Sequence, residues 1–391
     1  MPRRIFISTG EVSGDLQGSL LVSALVRQGL ARGWDLEITA LGGERMAAAG
    51  ATLLADTTGL GSVGLLEAVA YLWPSWKIQR RTRHYLDQNP PDGVVLIDYM
   101  GPNLSLGQFV GQRFPQMPLL YYIAPQEWVW SFGNSNTSKI ATVTQEILAI
   151  FPGEADYYRQ QGATVRWVGH PLLDRLEHCA DRPTARAALG IPPEQTAIAL
   201  LPASRFQELK YVLPVIFGAA QRLQAQLPQV HFWIPLSQAG FKEPLLEAIA
   251  AYGLQASLWT GDSTTVLGAV DLAITKSGTV NLELALQNTP QVVVYRLSRL
   301  TAWIAQYLLR FSIPFASPPN LVLQREVVPE LIQGAATVER ITQAALDLLQ
   351  NPQRRSQMLA DYGELRSALG EVGVCDRAAQ IILDALPEPR S

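Results

Sequence analysis

Four polar clusters, each directly after a short apolar run, carry the side chains that can do chemistry in this chain. Thr9-Gly10-Glu11-Val12-Ser13-Gly14-Asp15 follows the run Ile5-Phe6-Ile7. Gly10 and Gly14 let the backbone turn tightly and approach a ligand, and Ser13 or Asp15 can cap a following helix. The same glycines also suit an ordinary strand-to-helix turn. Glu11 and Asp15 are both anionic and would repel a diphosphate, so a sugar hydroxyl is the better guest here. Leu96-Ile97-Asp98-Tyr99-Met100-Gly101-Pro102-Asn103 puts an acid at the end of another apolar run. A carboxylate so placed can deprotonate a hydroxyl, or it can close the turn and cap the next helix.

The other two clusters are suited to anions. In Leu200-Leu201-Pro202-Ala203-Ser204-Arg205, Ser204 and nearby amides can bond phosphate oxygens while Arg205 supplies a bidentate cation. A solvated surface arginine is the plainer use, and the apolar strand before it weakens that reading. In Thr275-Lys276-Ser277-Gly278-Thr279-Val280-Asn281-Leu282-Glu283 a small-residue turn opens a helix. Its hydroxyls and helix end suit a phosphate, and Glu283 can reach ribose hydroxyls; the alternative is a capping box from Thr279 to Glu283 with imperfect spacing.

Two segments pair aromatics with cations. Tyr71-Leu72-Trp73-Pro74-Ser75-Trp76 follows the apolar stretch from Gly61 and runs into Lys77, Arg80, Arg81 and Arg83. Tryptophan beside a basic cluster is the composition of an element lying on an anionic lipid surface, which makes Trp73, Trp76, Arg80 and Arg81 membrane-facing candidates. A core helix followed by a solvated one fits equally. Arg296 to Phe315, with Trp303, Tyr307, Arg299 and Arg310, admits the same two readings.

The elements that must position these clusters are legible in the apolar pattern. Arg4–Thr9, Glu37–Leu41, Gly93–Ile97, Leu119–Ile123 and Ile147–Ile150 read as buried strands separated by helical stretches, which predicts a parallel sheet covered on both faces. The pattern stops after Gly169-His170-Pro171 and restarts with strands near Ala197–Leu201, Val230–Ile234, Ala256–Leu258, Asp271–Ile274 and Gln291–Val294. The chain is thus predicted to be α/β, with two doubly wound Rossmann-like domains, 1–170 and 171–391, facing a cleft and ending in helices from Val338. At 391 residues two domains are the natural count.

Composition narrows the function. Lys plus Arg number 31 against 34 Asp plus Glu, so there is no basic excess for a nucleic-acid backbone. Cys179 and Cys375 stand alone, with no CxxC and no histidine cluster, which argues against a disulfide framework or a metal site and fits a reducing cytosol. No stretch of about 18 apolar residues is present to span a bilayer.

Taken together, the motifs resemble the lipid A disaccharide synthases, glycosyltransferases of the two-Rossmann-domain architecture called GT-B. The resemblance runs in order from Ile5 to about Leu349. It rests on Gly10 to Asp15, Gly42-Gly43-Glu44-Arg45-Met46, Ile97-Asp98, Trp128-Val129-Trp130, Val168-Gly169-His170-Pro171, Leu201 to Arg205, Ser277-Gly278-Thr279 with Glu283, and Pro319-Asn320-Leu321. It implies an enzyme that joins UDP-2,3-diacylglucosamine to 2,3-diacylglucosamine 1-phosphate without metal or cofactor. It implies Asp98 as general base with Glu11 beside it in catalysis, and Ser13, Gly14 and Asp15 on the acceptor side. Ser204, Arg205, Ser277, Gly278, Thr279, Glu283 and Asn320 would hold the donor. The implied partners are the UDP-sugar, the acylated glucosamine phosphate lipid and the inner-membrane surface met from the cytoplasm, with homo-oligomerisation left open.

Three departures from the family pattern stand out. Gly101 replaces a second acid, Ala203 replaces a glycine, and Ser131 to Thr137 is uncharged where the family is basic. A loop without cations is expected to hold an acceptor phosphate less tightly. A UDP-sugar 2-epimerase shares a similar donor half and needs no lipid contact, and a non-catalytic UDP-sugar or lipid-binding module is the other reading the residues allow.

Overall fold

Runs such as Gly93-Val94-Val95-Leu96-Ile97, apolar at consecutive positions, bury both faces of a strand and so favour parallel pairing between helical layers. The computed structural model of the chain describes residues 2–60, 65–129, 135–297 and 315–388 and contains two such sheets. Gly61 to Gly64, Trp130 to Asn134 and the aromatic-basic stretch from Ser298 to Pro314, with Trp303, Tyr307 and Arg310, lie outside the described residues.

The first sheet has strands β1 (Arg3–Ser8), β2 (Leu36–Gly42), β3 (Thr52–Asp56), β4 (Gly93–Ile97), β5 (Leu119–Tyr122), β6 (Glu146–Ala149) and β7 (Val165–Trp167), all parallel, in the order β3-β2-β1-β4-β5-β6-β7. The second has β8 (Thr196–Leu201), β9 (Val230–Pro235), β10 (Ala256–Trp259), β11 (Leu272–Lys276), β12 (Gln291–Tyr295) and β13 (Glu330–Ile332) in the order β10-β9-β8-β11-β12-β13. Both sheets therefore wind outward in opposite directions from a central pair, β1 with β4 and β8 with β11. At such a reversal the helices diverge and leave the carboxyl ends of the two strands uncovered. In the first unit the flanking helices used below are α1 (Glu11–Ala31), α2 (Glu44–Ala48), α3 (Leu65–Gln88) and α4 (Met100–Arg113). Phe6, Leu96, Leu106, Tyr121 and Ile147 form one core, and Ala199, Trp233, Leu267, Ala273 and Leu284 the other.

The domain division differs from the one expected at residue 170. One compact unit comprises Met1–Arg175 together with Leu369–Ser391, and the other Leu176–Ala368. The last helix, Val374–Ala385, thus belongs to the first unit rather than the second. Its buried face of Val374, Ala378, Ile382 and Leu383 packs with α1, flanked by ion pairs from Arg27 to Asp376 (2.5 Å) and Arg32 to Asp384 (2.7 Å). Asp174 caps the helix from a distance: its carboxylate accepts the N–H groups of Gly373 (2.7 Å), Val374 (3.0 Å) and Cys375 (2.7 Å). Arg377 returns two bonds to the carbonyl of Val168. Replacing Asp174 by Ala leaves three backbone donors unpaired and is expected to lower the stability of the first unit by about 1–3 kcal/mol. Asp174→Asn should lose less, since one acceptor oxygen remains. The urea midpoint of the two variants, with limited proteolysis of the C-terminal helix, checks both.

His170 offers a pH handle on the same unit. The ring is buried against Phe151 at 5.2 Å, and its Nδ1 accepts the N–H of Leu172 at 3.2 Å, which requires that nitrogen to be unprotonated. Burial lowers its pKa from 6.5 to about 3. A histidine held neutral contributes its full stability above 6.5 and loses it as pH falls from 6.5 towards 3, at about 1.4 kcal/mol per pH unit. The first unit's melting temperature should fall with acid in that window, and His170→Asn should flatten the slope while lowering the plateau.

Candidate active site

The reversal point of the first sheet is bound together by Asn103, a fully buried residue of α4. Its amide nitrogen donates to the carbonyls of Ser8 (3.1 Å), Ile97 (3.0 Å) and Asp98 (2.8 Å), and its amide oxygen accepts the Ser8 hydroxyl (2.6 Å). The carboxyl ends of β1 and β4 are thereby tied to each other. Asp98 follows β4 directly, with its N–H on the carbonyl of Ile123 (2.9 Å) and its carbonyl accepting the Tyr121 hydroxyl (2.6 Å). Its backbone has φ 45°, and Tyr99 (52°), Glu11 (62°) and Ile123 (61°) share the left-handed region. Four non-glycine residues in that region at neighbouring strand ends store strain of about 1–3 kcal/mol each, which the surrounding bonds must offset.

This backbone brings Glu11 and Asp98, both partly exposed, to adjoining strand ends. The Tyr99 ring lies over Gly10, where any Cβ would meet it at 2.4 Å, and Glu11 is close enough to raise the tyrosine's pKa after burial has done so. Behind Asp98 sits Glu154, buried, whose carboxyl accepts the N–H groups of Ala124 (2.9 Å), Ile150 (2.8 Å) and Phe151 (3.2 Å) and clips the ends of β5 and β6. Burial pushes Glu154 up to about 8 against the pull of those three donors, and the Asp98 charge adds to the rise. Tyr99 occupies the N-cap of α4, so Asp98 does not fill that position.

Two residues expected on the acceptor side have other tasks. Helix α1 starts at Glu11 with Gly10 as its N-cap, so Ser13 and Asp15 lie inside the helix and cap nothing there. The buried Asp15 carboxylate reaches the start of α2 and accepts the N–H groups of Gly43 (2.8 Å), Arg45 (3.2 Å) and Met46 (3.1 Å). It fastens the Gly42 to Met46 motif to α1. Gly14 is required by packing: a Cβ there would stand 2.0 Å from the Thr9 hydroxyl. Ser13 remains half-buried on the first turn. A Cβ at Gly101 would face open space.

At the reversal point of the second sheet, cations replace acids. Ser204 and Arg205 follow β8, and Lys276 ends its partner β11, with Ser277 to Thr279 after it. Between them stands Glu208, whose carboxylate accepts the Ser204 N–H (2.5 Å), the Ser204 hydroxyl (3.2 Å) and the Arg205 N–H (3.0 Å). The Arg205 guanidinium lies 3.9 Å and the Lys276 ammonium 3.8 Å from the same carboxylate. Ser277 donates its hydroxyl to the carbonyl of Ala316 (2.6 Å), and Gly278 donates its N–H to Asn281 (2.8 Å), so the turn is closed by Asn281 and no side chain of Thr279 caps the helix. Glu283 is buried one turn further in.

Asn320, expected on the donor side, is bonded into its own loop. It is fully buried; its oxygen accepts the N–H groups of Val327 (2.7 Å) and Val328 (2.9 Å), and its nitrogen donates to Val328 (2.9 Å) and Glu330 (2.8 Å). Glu330 in turn holds the N–H groups of Ala316 and Ser317 and the Ser317 hydroxyl. Asn320 therefore shapes the loop on which Ser277 rests.

Trp73 and Trp76 are 63 % and 50 % exposed on α3, stacked at 5.2 Å, with Lys77 over Trp73 at 5.5 Å and Arg80 over Trp76 at 5.7 Å. The core reading fails for both tryptophans. Arg81 is exposed, whereas Arg83 turns inward to the Ser105 hydroxyl (2.7 Å). Among the described residues no helix is long and apolar enough to cross a membrane, and no group of three His, Cys, Asp or Glu is placed to hold a metal. Asn103, Glu154, Lys276 and Glu208 join the expected residues at these two places. Asn103 and Lys276 lie within the clusters after Ile97 and Ile274, and Glu208, three residues after Arg205, carries a capping spacing as its only sequence signal.

Over residues 5–385 the sequence matches the family model described as lipid-A-disaccharide synthetase. It is 57 % identical to the lipid-A-disaccharide synthase of Gloeothece citriformis, across 97 % of this chain and 99 % of that one, and 54 % identical to that of Synechocystis, across 97 % of each. In fold it resembles the calicheamicin glycosyltransferase CalG4 (TM-score 0.61, 15 % identity, all of both chains). It also resembles UDP-GlcNAc 2-epimerase from Neisseria meningitidis (TM-score 0.59, 11 % identity, 98 % and 99 % of the two chains), a likeness of architecture alone. Extending over nearly the whole chain, the family match decides between the two enzyme classes that share this fold: the chain belongs to the lipid-A-disaccharide synthase family and is a hexosyltransferase.

Proposed function

We propose that the chain transfers the sugar of UDP-2,3-diacylglucosamine to the 6-hydroxyl of 2,3-diacylglucosamine 1-phosphate with inversion, releasing UDP. Asp98 removes the hydroxyl proton as the oxygen attacks the anomeric carbon, and the bond from that carbon to the diphosphate breaks with its electron pair leaving on UDP. The observation that carries this reading is the held backbone of Asp98 at the end of β4, with Glu11 beside it to accept a hydrogen bond from the acceptor sugar. Arg205 and Ser204 serve the diphosphate of the donor. Thr279 and Gly278 line its turn and Glu283 reaches the ribose. Ser277 and Asn320 keep that turn in place through Ala316 and Glu330.

Replacing Asp98 by Asn keeps size and hydrogen bonding but removes the base, and should reduce turnover by about two to four orders of magnitude with little change in donor affinity. Turnover of the variant near that of the parent would remove Asp98 from this role. Mass spectrometry of the product formed from UDP-diacylglucosamine with acceptors carrying or lacking the 1-phosphate tests the acceptor, given Gly101 and the uncharged Ser131 to Thr137.

The same reading places α3 on the membrane that carries both lipids. Two exposed, stacked tryptophans with Lys77, Arg80 and Arg81 on one segment supply apolar area and positive charge together. Changing Trp73 and Trp76 to Ser should lower co-sedimentation with anionic vesicles by about tenfold or more, and raised salt should weaken binding of the parent chain. Unchanged sedimentation of the double variant would leave the tryptophans without a membrane role.

A further inference from the structure

The cations at the end of β8 and β11 are not evenly accounted for by a donor held through Arg205 alone. Lys276 is the last residue of β11, and its ammonium sits against the backbone of Gly278, where a Cβ would meet it at 2.6 Å. It is largely buried, with 14 % of its side chain exposed, and a lysine so placed needs an anion nearby. Glu208 lies within 4 Å of Lys276 and Arg205 alike, and its other oxygen holds the N–H and hydroxyl of Ser204. Tyr295, at the end of β12, is close enough to sense both Arg205 and Glu208. One carboxylate thus gathers two cations and a hydroxyl at the strand reversal where this sheet takes its ligand.

We propose that Lys276 is a ligand of the donor's diphosphate, and that Glu208 holds Lys276 and Arg205 in place and yields them to the diphosphate when UDP-sugar binds. This rests on the donor reading above and extends it to a residue outside the expected donor set. Glu208 then has a second effect: as a fixed anion beside the phosphate seat it weakens nucleotide binding and so favours release of UDP after transfer.

The test is titration calorimetry of UDP on the full chain, with uridine in competition as the phosphate-free control. Lys276→Met should weaken UDP binding by about tenfold or more while leaving uridine within about twofold of the parent, and Lys276→Arg should restore most of the loss. Glu208→Gln keeps an oxygen to accept the Ser204 and Arg205 N–H groups but removes the charge, and should tighten UDP binding by several-fold, on the order of a like-charge repulsion relieved. Equal UDP affinity in parent and Lys276→Met overturns the proposal, as does an equal loss for UDP and uridine, which marks Lys276 as scaffold. Weaker UDP binding in Glu208→Gln overturns the part given to Glu208. If the parent chain binds no UDP, the donor reading falls as well, an outcome distinct from each of these.

Discussion

Where a parallel sheet reverses its winding, two central strands end side by side with no helix crossing over them, and their last carbonyls need donors. In the first unit a single amide supplies them: Asn103 bonds the ends of β1 and β4 through Ser8, Ile97 and Asp98 and takes the Ser8 hydroxyl in return. Leaving such buried groups unpaired costs about 1–3 kcal/mol each, comparable in size to the strain of each left-handed residue beside them. The fastening and the strain therefore coexist at one place. Without Asn103 the sharp exit of the chain at Asp98 and Tyr99 has little reason to persist, and the carboxylate loses its fixed position at the strand end.

The two sheets share a strand order and a reversal, yet the residues placed there are opposite in charge. The first carries Glu11 and Asp98, the second Arg205 and Lys276 with Glu208 between them. Topology supplies only an uncovered pair of strand ends; the chemistry comes from the few residues that follow. An acid beside a hydroxyl can take a proton, and cations beside a diphosphate can stabilise a departing charge, so one architecture can present either kind of group.

Much of this was legible because central parallel strands are apolar throughout. β4 reads Gly93 to Ile97 without a polar residue, and its boundaries follow from the sequence. The strands that escaped, β3, β7 and β13, are sheet edges: short, half-buried and mixed in polarity, as in Thr52 to Asp56 and Val165 to Trp167. An edge strand covers less apolar area, so its pattern is no clearer than that of a loop. The destination of the last helix was illegible for another reason. Val374 to Ala385 has a plain apolar face, but nothing in its own residues says which surface receives it; that is fixed by Asp174, some two hundred positions earlier (199 to Gly373).

The site residues divide along a similar line. Asp98 and Arg205 stand at strand ends with charged groups partly exposed, as their motifs suggest. Asp15 and Asn320 come from equally suggestive motifs and serve the backbone, accepting N–H groups from Gly43, Arg45 and Met46 in one case and from Val327 and Val328 in the other. A loop that leaves a parallel sheet for a short helix has amides with no carbonyl partner, and a nearby Asp or Asn is the cheapest acceptor. Residue type and spacing cannot distinguish that need from a ligand's, because both call for an oxygen beside a turn. What separates them is burial: Asp15 and Asn320 are buried with their oxygens filled by main-chain donors, whereas Asp98 stays partly exposed where β4 ends.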